Sequence, residues 1–150
     1  MRLTLTREAD YAVRAMVWLA QMASQHRNAE AAPRQKAAAI ARATGIPPAF
    51  SARVLAQLQH RGFLRARAGR DGGYSLAQPV RNISLLEVIE AVEGPLLSQE
   101  CLLRDSDCGT DGYCVLHDAW NAAQEALRTT LAQTSLIQAT ECSVTVARPK

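Results

Sequence analysis

Scarcities in this 150-residue chain exclude several kinds of protein before any motif is considered. Aromatic residues make up only 5% of it, so any core must come from aliphatic side chains and alanine, a composition that reads as helical. No apolar run is long enough to span a bilayer, and no apolar stretch of the signal-peptide kind opens the chain. A cytoplasmic protein with no membrane contact is therefore expected. No nucleophile motif, phosphate-cradling glycine loop or metalloprotease motif occurs, which argues against an enzyme. None of the four cysteines lies two to four residues from another, as paired ligands of structural zinc usually do. Acids are missing altogether from residues 53 to 70, a stretch that holds Arg53, Arg61, Arg65, Arg67 and Arg70.

That last absence belongs to a wider asymmetry. Residues 1 to 82 carry thirteen Lys or Arg against four acids, a net of +9, whereas 83 to 150 carry four against ten, a net of -6. A basic first half suits a polyanionic partner.

Helical periodicity begins at TREADYAVRAMVWLAQMA, residues 6 to 23, with Thr6 as N-cap and Glu8 in the first turn. Ala9, Val13, Met16, Val17 and Ala20 form one apolar stripe, and Tyr11, Trp18 and Met22 a second nearly opposite, so the helix is expected to serve two partners: its own domain and a second subunit. Asp10 stands about 200° around the helix from Glu8, so the two carboxylates cannot share a site. By itself Asp10 reads as a solvated acid at the positive end of a helix.

A loop ending at Pro33 leads to a helix over Gln35–Ala43, closed by Gly45, and a second helix over Phe50–His60 started by Pro47 and Pro48. Ala39, Ile40, Ile46, Val54, Leu55 and Leu58 are spaced to fill the angle between them, which is a helix-turn-helix pattern or any helical hairpin. The next segment decides between the two. Gly62-Phe63-Leu64 starts an extended run, residues 67 to 73 form a glycine-rich turn bearing Arg67 and Arg70, and Tyr74-Ser75-Leu76-Ala77 returns. A hairpin after a helix-turn-helix is a wing, with one helix suited to the major groove and arginines at the hairpin tip suited to phosphates or the minor groove. Candidate DNA contacts are Phe50, Ser51 and Arg53 on the second helix, and Arg67, Arg70, Gly72, Gly73 and Tyr74 in the wing.

Beyond Pro79 the character changes. Ser84 and Glu87 make a capping box for SLLEVIEAVEG, stopped by Gly94-Pro95. Next comes ECLLRDSDCGTDGYCVLH, residues 100 to 117, where Cys101, Cys108 and Cys114 are separated by turn formers and His117 stands close after the last of them. In a reducing compartment, clustered thiols point to a metal centre or redox sensing more than to disulfides, and spacing this wide suits an iron-sulfur cluster better than zinc. Leu116, Trp120, Ala123, Leu127 and Leu131 then mark a long amphipathic helix to about Gln133, whose stripe requires a partner, most simply a second copy of itself. From Thr134 a brief helical turn precedes a tail containing Cys142, a spare thiol. The expected fold is mostly α: a winged helix-turn-helix DNA-binding domain over 1–82, a cysteine loop and dimerisation helices over 83–135, and a tail over 136–150.

The opening MRLT with DYAVRAM, the run IARATGIPPAFSARVLAQLQHRGFL, the wing GRDGGYSLA, the helix ISLLEVIEAVEGP and the three-cysteine loop occur in one order over residues 1 to 135. Together they resemble the iron-sulfur winged-helix regulators of the IscR, NsrR and RirA type. That resemblance implies a homodimeric transcription regulator, a repressor in the first instance, binding a palindromic double-stranded DNA operator. It implies a 2Fe-2S or 4Fe-4S cluster held by Cys101, Cys108 and Cys114. The fourth ligand it suggests is either His117 or, from the partner's first helix, Asp10, with Glu8 a more remote choice. The first cysteine gap is six residues, where the resemblance to IscR and NsrR would lead one to expect five. A second reading keeps fold and DNA but uses zinc or cysteine oxidation as a thiol switch. A third, a small iron-sulfur electron carrier, leaves the arginine-rich wing without a use.

Overall fold

Thr6 starts the fold as the sequence predicts, its Oγ1 accepting the Ala9 N–H at 3.2 Å to cap α1 (Arg7–Ser24). The computed structural model describes residues 5–26, 33–96 and 115–141. Within them α1 is the axis of the core. Ala9, Ala12, Ala15, Met16, Val17, Leu19, Ala20 and Ala23 are buried, and the many alanines let other helices approach closely. Tyr11, Val13 and Trp18 pack half-buried against the same core, so both apolar stripes find most of their partners within this chain.

Helix α2 (Ala37–Thr44) ends where Gly45 turns left-handed at φ 70°, a conformation costly for any residue with a Cβ. Pro48 is the first residue of α3 (Pro48–His60), where its missing N–H leaves no bond unmade. Ile40, Ile46, Val54, Leu55 and Leu58 are buried in the angle between them, as their spacing predicts. Buried Phe63 and Leu64 root the wing, formed by β1 (Leu64–Arg67) and β2 (Gly73–Leu76), which pair antiparallel with Leu64 opposite Leu76 and Arg67 opposite Gly73. A single 3-10 turn, Val80–Asn82, then leads to α4 (Leu85–Glu93), whose Ser84–Glu87 capping box is complete in both directions.

The core runs across the divisions expected at 82/83 and 135/136. Ile83, Val88, Ala91 and Leu136 belong to the same core cluster as Met16 and Leu55. After α5 (Val115–Gln133) the chain turns back: the Leu85 N–H donates to the Thr134 carbonyl at 2.9 Å and the Leu136 N–H to the Ile83 carbonyl at 2.7 Å. Leu136 is fully buried and begins α6 (Leu136–Glu141), which packs on α1 and the 3-10 turn. Residues 136 to 141 are thus part of the first core, because an apolar side chain just past a long helix is carried back to a hydrophobic site by a tight turn. The remainder of the tail, with Cys142, lies outside the described residues. Helix α5 behaves differently: Leu116 and Leu127 remain 45% and 44% exposed, and Trp120 and Leu131 are half-buried.

Candidate functional site

Helix geometry separates the residues predicted on α3. Phe50 and Arg53, three apart, share the outer face, with Phe50 37% exposed and the Arg53 side chain 63% exposed. Ser51 falls in register with Val54 and Leu58 and is 2% exposed, so it is a buried residue of the helix and not a surface contact. Its Oγ finds no hydrogen-bond partner among the described residues.

In the wing, Arg65, Arg67 and Arg70 are exposed, as is Arg61 at the end of α3. Gly72 and Gly73 hold the turn's shape. A Cβ on Gly72 would lie 2.1 Å from the Arg67 carbonyl oxygen, and one on Gly73, at φ 137°, 2.6 Å from the Gln35 carbonyl oxygen. Gly72 is buried and its N–H is bonded to the Gly69 carbonyl at 3.1 Å, so its part is to let the turn close. Gly72→Ala is expected to destabilise the protein by about 1–3 kcal/mol through this backbone overlap. Urea unfolding checks it, and an unchanged midpoint would mean that the turn tolerates a side chain.

Two contacts that sequence reasoning missed brace the wing from behind. Gln35 and Tyr74 exchange backbone hydrogen bonds of 2.8 Å in both directions, so the residues before α2 pair with the outer edge of β2. This takes up the backbone polar groups of Tyr74, whose side chain packs half-buried against the core. Lys36 Nζ donates to the carbonyls of Gly69 at 2.9 Å and Arg70 at 2.7 Å, tying the start of α2 to the wing tip. Neither contact has a local sequence signal, since more than thirty residues separate the partners.

The two leading candidates for the fourth ligand, Asp10 and His117, are both engaged. Arg14 grips Asp10 with two nitrogens, Nε to Oδ1 at 2.8 Å and Nη2 to Oδ2 at 2.7 Å, one helical turn apart. Asp10 is therefore an oriented, paired carboxylate, where spacing alone suggests a solvated one. His117 lies in the first turn of α5 with its Nε2 2.8 Å from Asn121 Nδ2. Cys101, Cys108 and Cys114 lie outside the described residues, and among the described residues no group of three or more His, Cys, Asp or Glu side chains is arranged to hold a metal ion.

The fold, an exposed arginine row and a braced wing describe a DNA-binding surface, and comparison with known proteins agrees. A family model described as Rrf2, iron-dependent transcriptional regulator, matches residues 5–141. The chain belongs to the Rrf2 family. A Mycobacterium tuberculosis protein named as an HTH-type transcriptional regulator is 37% identical over 136 residues, covering 88% of this chain and 78% of that protein. The HTH-type transcriptional repressor NsrR of Streptomyces coelicolor is 34% identical over 87 residues, 58% of each chain. Among solved structures, CymR, the global cysteine regulator of B. subtilis, superposes with a TM-score of 0.75 over 93% of this chain and 98% of that one at 19% identity. IscR of T. potens does so with a TM-score of 0.74 over 99% and 93% at 20% identity. This Rrf2 chain is accordingly a mostly helical, winged-helix DNA-binding transcription regulator and not an enzyme.

Proposed function

We propose that this Rrf2 regulator acts in the cytoplasm as a homodimeric repressor whose affinity for a palindromic operator is set by an iron-sulfur cluster bound at Cys101, Cys108 and Cys114. The observation that carries the DNA half is the row of exposed arginines on α3 and the wing, drawn from a stretch without acids between residues 53 and 70, with the wing braced by Lys36 and Gln35. For the cluster half, the donor set carries it: three thiolates spread over fourteen residues, with an aspartate and a histidine as candidates for the last position, in a family described as iron-dependent. When bound, such a cluster supplies a centre that reacts with oxidants or nitric oxide and depends on iron supply.

The chain's own residues do the rest. Arg67 and Arg70 meet phosphates, and Arg53 on α3 reads a base edge. Arg14 holds Asp10 in place by two hydrogen bonds, so use of Asp10 as a ligand requires sharing an oxygen with that guanidinium. Replacing Asp10 or His117 by alanine should leave a cluster that forms but is more labile, and the variant that shows this identifies the fourth ligand. Visible absorption with iron and sulfide analysis of protein purified without oxygen tests the reading. A colourless protein with stoichiometric zinc, or one that switches by thiol oxidation alone, would replace it with the thiol-switch reading.

Arg67→Ala and Arg70→Ala are each expected to weaken binding to operator and random DNA alike. Each should also flatten the slope of log affinity against log salt by about one unit for every phosphate the variant no longer neutralises. Unchanged affinity and slope would remove the wing from the interface.

A further inference from the structure

Arg53 does not stand alone on α3. Its Nη2 lies 3.1 Å from Oε1 of Glu8, in the first turn of α1, and one turn on along α1 and one turn back along α3 the rings of Tyr11 and Phe50 meet edge to face at 5.7 Å between centroids. Glu8 and Tyr11 are three apart on α1, and Phe50 and Arg53 three apart on α3, so the two helices are clasped by two rungs on matching rows. The first turn that carries Glu8 is itself tied down. Thr6 caps it, and both the Thr6 N–H and Oγ1 donate to Glu93 Oε1 at the end of α4, at 3.1 and 2.8 Å.

We propose that Glu8 is a positioning residue for base reading: it holds the Arg53 guanidinium at one nitrogen, so that the remaining N–H groups are presented to a guanine in the major groove. This rests on the reading of α3 as the recognition helix. Two roles are open to a carboxylate beside a DNA-facing arginine, masking it or bracing it, and the exposures separate them. The Glu8 side chain is 25% exposed while that of Arg53 is 63% exposed, so the acid sits back in the protein and leaves most of the guanidinium uncovered. An arginine on a long flexible stem loses rotamer freedom when it binds a base, and a fixed carboxylate imposes that loss before DNA arrives. A charge-assisted contact also fixes direction, which reading O6 and N7 of guanine demands.

The test uses the full-length protein and a random duplex DNA library, from which the parent, Glu8→Ala, Glu8→Gln, Arg53→Ala and the Glu8→Ala/Arg53→Ala pair each select sites. Arg53→Ala marks the base position that Arg53 reads. At that position alone, Glu8→Ala should lower discrimination by about threefold to tenfold, a part of what one bidentate arginine contact supplies. Glu8→Gln, which keeps an acceptor oxygen, should fall between, and the double variant should be no worse there than Arg53→Ala. Affinity for random DNA should hold or rise, since a negative charge has been removed. Retained discrimination in Glu8→Ala overturns the proposal. So does a joint rise in affinity for selected and random DNA with every preference intact, which is the signature of masking. If Arg53→Ala itself changes no position, the recognition-helix reading has failed and this inference falls with it, a result recognisable without any Glu8 variant. Circular dichroism and the visible spectrum of each variant report fold and cofactor content, and Glu8→Gln carries the test should Glu8→Ala not fold.

Discussion

Replacing Cys101, Cys108 or Cys114 by alanine is expected to give a protein that purifies without iron or sulfide and binds its operator with affinity changed about 5- to 150-fold, in the same direction for all three, the usual range of coupling between an effector site and a binding site. The three positions should act alike because a cluster deprived of one of three thiolates loses the geometry that the other two depend on. The described residues offer a route for such coupling. The loop joins α4 to α5, α4 packs along α1, and Glu93 at its last turn accepts two hydrogen bonds from Thr6, which caps the helix bearing Glu8 and Asp10. Anaerobic absorption and metal analysis beside operator titrations check it. Cys142→Ala should change neither quantity. Iron content and DNA affinity equal to the parent's in the three loop variants would show that the loop is not the sensor.

The second large effect is expected on α5. Leu116 and Leu127 stand 45% and 44% exposed on a helix whose apolar stripe also includes Trp120 and Leu131, an arrangement that water disfavours unless another copy covers it. Leu127→Asp places a charge in that surface. It should yield a monomer in which each winged domain folds normally, because no residue of the stripe belongs to the buried core cluster. Binding to a palindrome whose half-sites lie about 34–36 Å apart should then weaken by about 10²- to 10⁴-fold, the contribution of linking two binding modules, while affinity for one half-site is kept. Sedimentation and titration of palindromic and half-site duplexes measure both. A Leu127→Asp variant that remains dimeric and binds the palindrome as the parent does would place the dimer contact elsewhere.

What is legible in the sequence is local chemistry. Thr6 before α1, Gly45 after α2, Pro48 opening α3 and the Ser84–Glu87 box each act on backbone groups within a few residues, so their spacing alone predicts an element and its ends. The wing is legible for the same reason, since a tight turn rich in glycine sets the register of two short strands. Charge is legible in sum: an acid-free arginine stretch points to a polyanion whatever the fold.

Only the tertiary structure decided which residues meet across distance. The pairs Glu8–Arg53, Thr6–Glu93, Lys36–Gly69 and Gln35–Tyr74 join positions 33 to 87 residues apart, and depend on how α1 docks on α3 and α4 and how the chain before α2 lies against β2. Ser51 escapes sequence reasoning because exposure to DNA depends on helix rotation, which the packing of Val54, Leu55 and Leu58 sets. Leu136 escapes it because a side chain beyond the end of a long helix gives no periodic signal of its own, and its burial exists only once α5 turns back at Thr134. By itself the sequence determined the elements and the sign of the partner's charge. Tertiary packing decided which arginine is paired with an acid, which serine is buried and which apolar side chains of α5 stay exposed, because side-chain partners at long range depend on the docking of rigid elements and not on spacing along the chain.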